Sequence, residues 1–188
     1  MEMVMGNSSR KMHPHKFLLW IAIGSLTMMF AGLTSAYIVK SNQAGWQPVK
    51  VPGIFYLSTI VIVASSISIW MAQKAIVTKQ MVRYRLLVSV TAVLGLVFLL
   101  TQFMGFSELW QQKITFKESI AGSFFYVIAG LHALHVLGGV IALLVLVLRI
   151  FSSGTKFYSS IPVETAGLYW HFVDILWVYL FIFFLLVS

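Results

Sequence analysis

The chain has 188 residues, 60% of them apolar and only 10% charged, with a mean hydropathy of +0.92; this cannot present a water-soluble surface around one small core and excludes a soluble globular protein. A net charge of +8 and a pI near 9.9 would suit nucleic acid, but the cations cluster between long apolar runs, where they mark membrane orientation, so no nucleic-acid partner is expected. The absence of cysteine excludes disulfides, thiolate-held zinc, iron–sulfur clusters and any thiolate-bridged copper centre on this chain.

Five apolar runs are long enough to cross a hydrocarbon core of roughly 30 Å at about 1.5 Å per helical residue. The first, Phe17 to Val39, follows Arg10, Lys11 and Lys16; with 23 residues and no small-residue processing site after it, it reads as a retained start-transfer helix and not a cleavable signal. Gly45, Pro48 and Pro52 mark an external loop between Ser41 and Pro52. The second run, Ile54 to Gln73, carries Ser65, Ser66 and Ser68, and the third, Leu86 to Ser107, carries Gln102; all four are read as interhelical hydrogen bonders. Lys74, Lys79, Arg83 and Arg85 fill the loop between these two runs. The fourth run, Ser119 to Leu148, holds His132 and His135, and Ser152 to Pro162 forms a second cytoplasmic loop before the fifth run, Thr165 to Ser188. The alternating pattern of barrel strands is absent. The predicted fold is an all-α integral membrane protein, a single five-helix domain over residues 1–188. Nine cations (Arg10, Lys11, Lys16, Lys74, Lys79, Arg83, Arg85, Arg149, Lys156) face four (Lys40, Lys50, Lys113, Lys117), which places the N-terminus inside and the C-terminus outside. Trp20, Trp46, Trp70 and Trp110 fall near the predicted interfaces, where indoles prefer to be.

The ionisable side chains within the spans are His132, His135, His171 and Asp174. Asp174 is the least welcome of these, because a carboxylate in a lipid-spanning helix costs several kcal/mol unless it is paired or faces protein. His132 and His135 share a face, to which Gly139 returns, and Gly138 and Ala142 form a small-xxx-small pair that lets helices approach closely. Glu164, His171 and Asp174 fall on one stripe of the last helix. Depths counted along the two helices overlap within about a turn, so Asp174 is expected to be held against the His132 and His135 face.

Three meanings of the histidines compete. Haem ligation is disfavoured because a His-x-x-His pair crowds both imidazoles on one side of a helix. A metal site from His132, His135, His171 and Asp174 has suitable ligand types but no second polar layer in the surrounding sequence. The remaining reading is a structural and lipid-headgroup polar network of His132, His135, Glu164, His171 and Asp174, with no catalytic, cofactor or metal residue on this chain. A small proton-relay transporter would be expected to carry polar residues on several spans, yet the first three runs contain no Asp, Glu, His, Lys or Arg.

The stretches GSFFYVIAGLHALHVLGG, Gly122 to Gly139, and ETAGLYWHFVDILW, Glu164 to Trp177, closely resemble the last two helices of cytochrome c oxidase subunit III. MMFAGLTSAY on the first run, the Ser65 and Ser66 pair, and GLVFLLTQ from Gly95 to Gln102 extend the resemblance over nearly the whole chain after the N-terminal tail. It is similar to a short form of the family, lacking the first two of seven helices. The resemblance implies an accessory, non-redox subunit of a haem-copper terminal oxidase in the plasma membrane of a bacterium, within a complex that reduces oxygen and pumps protons. Haem and copper would belong to partner subunits. The implied partners are the catalytic subunit I, other respiratory-complex subunits and phospholipids, and the implied role is support of assembly, lipid binding and sustained proton uptake. A subunit of a quinol oxidase or of a nitric oxide reductase complex would share these motifs. Two carboxylates usual in the family are replaced, one by Leu26 and one by Gly105.

Overall fold

The computed structural model describes residues 14–43, 46, 49–112, 120–152 and 160–187. Five α-helices account for nearly all of them: α1 (Pro14–Ser41), α2 (Ile54–Val77), α3 (Met81–Gln111), α4 (Ile120–Ser152) and α5 (Ser160–Val187), each containing a stretch long and apolar enough to cross a membrane. All five are longer than their apolar runs, α3 by the most, because interfacial residues such as Lys74, Arg83 and Trp110 continue the helical hydrogen bonding beyond the hydrocarbon. Pro14 opens α1 and Pro162 lies in the first turn of α5, where a missing N–H leaves no intrahelical acceptor unsatisfied. Lys79, with φ of 56°, turns the chain between α2 and α3, and the Gln80 N–H closes the turn on the Ala75 carbonyl at 2.9 Å. Arg10, Lys11, Lys113, Lys117, Lys156, Gly45 and Pro48, used in the charge and loop arguments, lie outside the described residues.

The helices α2, α3, α4 and α5 pack in a closed ring, each on the next and α5 back on α2, while α1 lies outside it against α4 and α5. Only 11% of the α1 span is buried, against 28 to 39% for the other four. Three ties hold it. Lys16 Nζ meets Glu164 Oε2 at 2.7 Å at the end of the bundle where the basic α2–α3 turn also lies, while towards the opposite end Thr34 and Tyr179 share a hydrogen bond at 3.1 Å and Tyr37 sits edge-on to Phe183 and Phe184. With both side chains of the ion pair more than a third exposed, it orients α1 and contributes at most about 1 kcal/mol.

Candidate functional site

The interior of the bundle is organised by two tryptophans of α5 that sit seven residues apart and therefore on one stripe. Trp170 is 1% exposed and touches all three of the other helices in the ring. Its indole N–H donates to Ser65 Oγ on α2 at 3.0 Å, and its ring lies against Gly95 of α3 and Gly139 of α4. A Cβ at Gly95 would stand 2.7 Å from one indole carbon, and one at Gly139 2.9 Å from another, so the glycines make the slot that holds the ring. Two turns along, Trp177 stacks on His132 at 5.1 Å between centroids and 28° between planes, while its N–H donates to Thr59 Oγ1 of α2 at 3.1 Å.

Between these tryptophans lie His171 and Asp174. His171 Nδ1 and Ser66 Oγ share a hydrogen bond at 2.7 Å. Asp174 is 3% exposed, and although the Ser66 hydroxyl lies close enough to act on its carboxylate, no well-formed hydrogen bond reaches either oxygen. The expected pairing of Asp174 with the histidines of α4 is not formed. His132 is fully buried among the rings of Phe30, Phe98 and Trp177, with no hydrogen bond at either nitrogen. His135 is half-buried and turns back on its own helix, its Nδ1 donating to the Leu131 carbonyl at 2.6 Å. Counting turns gave the two faces similar depths, but the flat face of Trp177 takes the space beside His132 that a carboxylate would need.

The serines of α2 bond across helices as expected: Ser65 to Trp170, Ser66 to His171, and Ser68 to the Leu87 carbonyl of α3 at 3.1 Å. Gln102 departs from that reading. It is 1% exposed and neither of its amide atoms is hydrogen-bonded; the α2–α3 bond at this level is made instead by Ser58 Oγ to Thr101 Oγ1, at 2.9 Å. Gln102, His132 and Asp174 thus put uncompensated polar groups from three helices into one apolar interior, at about 1 to 3 kcal/mol for each lost neutral partner and more for a charge. Among the described residues no group of three or more His, Asp or Glu side chains converges as a metal site.

Of the residues assigned to helix packing, only Gly139 meets a neighbour closely. Gly138 faces outward with no atom within 4 Å of where its Cβ would be, and Ala142 is exposed on the wall of a crevice between α1, α4 and α5. That crevice, about 500 Å³, is walled by Leu19, Leu146, Ala166 and Tyr169 and has Arg149 and Thr165 near its basic end. Glu164, paired with Lys16, stands on the α5 stripe beside it. Trp170 and Trp177, which organise the site, were not singled out in the sequence; the signal available was their spacing of seven around Asp174.

The profile of the family described as cytochrome c oxidase subunit III matches residues 16–188. The chain belongs to that family. It is 33% identical over 169 residues to the probable cytochrome c oxidase subunit 3 of Mycobacterium tuberculosis (strain ATCC 25618 / H37Rv), covering 87% of this chain and 82% of the relative. It is 32% identical over 163 residues to the cytochrome c oxidase subunit 3 of Corynebacterium diphtheriae, covering 82% and 79%, and 29% identical over 173 residues to that of Bacillus sp. (strain PS3), covering 89% and 83%.

The resemblance to the family implies carboxylates at the positions that Leu26 and Gly105 occupy in this chain. At Gly105 the space is filled by Phe55 of α2, whose ring carbons lie 2.7 to 3.0 Å from where a Cβ would be. Leu26 is a half-buried apolar residue of α1. Introducing an acid there as Gly105→Glu should therefore lower the yield of folded protein, because the ring cannot yield without disturbing Phe106, Phe125 and Trp177 beside it. Gly105→Glu combined with Phe55→Ala should recover part of that yield in a detergent thermal-shift assay. No recovery would mean that loss of a side-chain clash is not what Gly105 provides.

Proposed function

We propose that this chain is the accessory subunit III of a cytochrome c oxidase, assembled with a catalytic subunit that carries the haem and copper, and that it sustains proton uptake and stabilises the complex without redox chemistry of its own. The observation that carries this reading is the family match across residues 16–188. Two physical features support it. The described residues of this chain bring together at most isolated imidazoles and carboxylates, with no converging ligand set. The α1/α4/α5 crevice, apolar along its depth with a guanidinium at one end, suits a phospholipid with its phosphate at Arg149, which would brace the weakly packed α1.

In this reading the basic ends of the helices are cytoplasmic, the protein is a multi-pass component of a bacterial plasma membrane, and much of the exposed outer surface of α1 is available to other subunits of the oxidase. The test is affinity purification of the native complex through a tag on this chain. The expected result is co-purification of haem-containing subunits and oxygen reduction that decays faster during turnover when the chain is deleted. The chain purified alone should show neither a Soret band nor about one copper per polypeptide. Deletion with no effect on the lifetime of activity, or a haem spectrum from the isolated chain, would overturn the proposal.

A further inference from the structure

We propose that the groove between the basic ends of α2 and α3 binds an anionic phospholipid, at a site separate from the α1/α4/α5 crevice. The groove has a volume of about 580 Å³ and an apolar wall that includes Met71, Ala75, Val82 and Leu86, with Lys74 from the last turn of α2 and Arg83 from the first turn of α3 at its mouth. The wall faces outward: Val82 is 82% exposed and Leu86 60%.

Both cations are held in place. Lys74 Nζ lies 3.4 Å over the ring of Trp70, an indole that is half exposed at the same level, and Arg83 Nη1 donates to Gln80 Oε1 at 3.0 Å. The turn that sets the two helix ends side by side is closed by the Lys79 N–H on the Ile76 carbonyl at 3.1 Å as well as by Gln80. No acidic residue occurs between Ile54 and Ser107, so neither helix supplies a carboxylate to neutralise this end.

Charge and wall together select the occupant. A phosphate between the ammonium and the guanidinium would neutralise both, while its acyl chains lie along Val82 and Leu86. A zwitterionic lipid brings its own cation into the same field. An acidic segment in extended conformation would bring backbone polar groups that an apolar wall cannot satisfy.

The test uses the full chain in phosphatidylcholine nanodiscs doped with brominated phosphatidylglycerol or brominated phosphatidylcholine. Quenching of Trp70 is read as the difference between the wild type and Trp70→Phe. Brominated phosphatidylglycerol should quench at a roughly thirty-fold lower mole fraction than brominated phosphatidylcholine, about 1 kcal/mol from each of the two cations. Arg83→Gln should weaken that preference by about five-fold, and Lys74→Gln with Arg83→Gln should abolish it, at about 1 kcal/mol per cation near an anionic headgroup. Arg149→Gln, at the other crevice, should leave it unchanged. Equal quenching by the two lipids, or a preference that survives loss of both cations, would overturn the proposal. So would a Trp70 that neither lipid quenches, the result expected if a second copy of the chain covers the groove.

Discussion

Trp170→Ala should destabilise the chain by about 3 kcal/mol, towards the low end of the range for removing a buried tryptophan, and is expected to be the most damaging single truncation in the bundle. The effect comes from packing more than from transfer, because lipid is as apolar as the slot that the indole leaves. One ring fills space between α3 and α4 and also satisfies Ser65 of α2, so its loss opens a cavity at the point where the four helices of the ring meet. The converse change should act through the same slot. Gly139→Leu forces a side chain into indole carbons that would already lie 2.9 Å from its Cβ, and should lower the melting temperature in detergent strongly. Gly138→Leu adds the same bulk to a residue with nothing within 4 Å and should be nearly silent in the isolated chain. Equal effects of the two leucines would show that the slot does not limit the packing.

Asp174→Asn should leave the isolated chain as stable as the wild type or more so, while shortening the active lifetime of the oxidase. An Asp at the centre of a membrane helix costs about 2.5 to 3.5 kcal/mol on insertion scales. A partner would offset that cost, but no well-formed hydrogen bond reaches either carboxylate oxygen of Asp174, with the Ser66 hydroxyl near it, and its side chain is almost fully buried. Removing such a charge at constant shape relieves the fold, whereas removing half of a real ion pair would harm it. His135→Ala separates the possibilities further. Its imidazole bonds the Leu131 carbonyl and not the carboxylate, so this variant should not reproduce the Asp174→Asn phenotype. The measurements are thermal unfolding of the purified chain and oxygen consumption over repeated turnovers in assembled complexes. Loss of stability in Asp174→Asn would show that the carboxylate is structurally paired. Immediate loss of oxygen reduction with subunit III present would place it in the catalytic path instead of a supporting one.

The length and apolarity of the five runs determined the all-helical, membrane-spanning architecture, because in lipid a long apolar segment must satisfy its own backbone and only a helix does so within one run. The spacing of Glu164, His171 and Asp174 placed them on one stripe, and the serines of α2 were legible as cross-helix donors and acceptors because a hydroxyl in an apolar span needs a partner. Which partners they take was decided by tertiary structure alone. Periodicity gives the face a residue occupies on its own helix but not the rotation of the next helix against it. Gly139, on the histidine face, and Gly138, paired with Ala142, were both legible as places of close helix approach, and the indole of Trp170 takes only the first. Likewise the imidazole of His132 and the carboxylate of Asp174, near in depth, are kept from pairing by the ring of Trp177, whose placement depends on a hydrogen bond to Thr59 on a third helix.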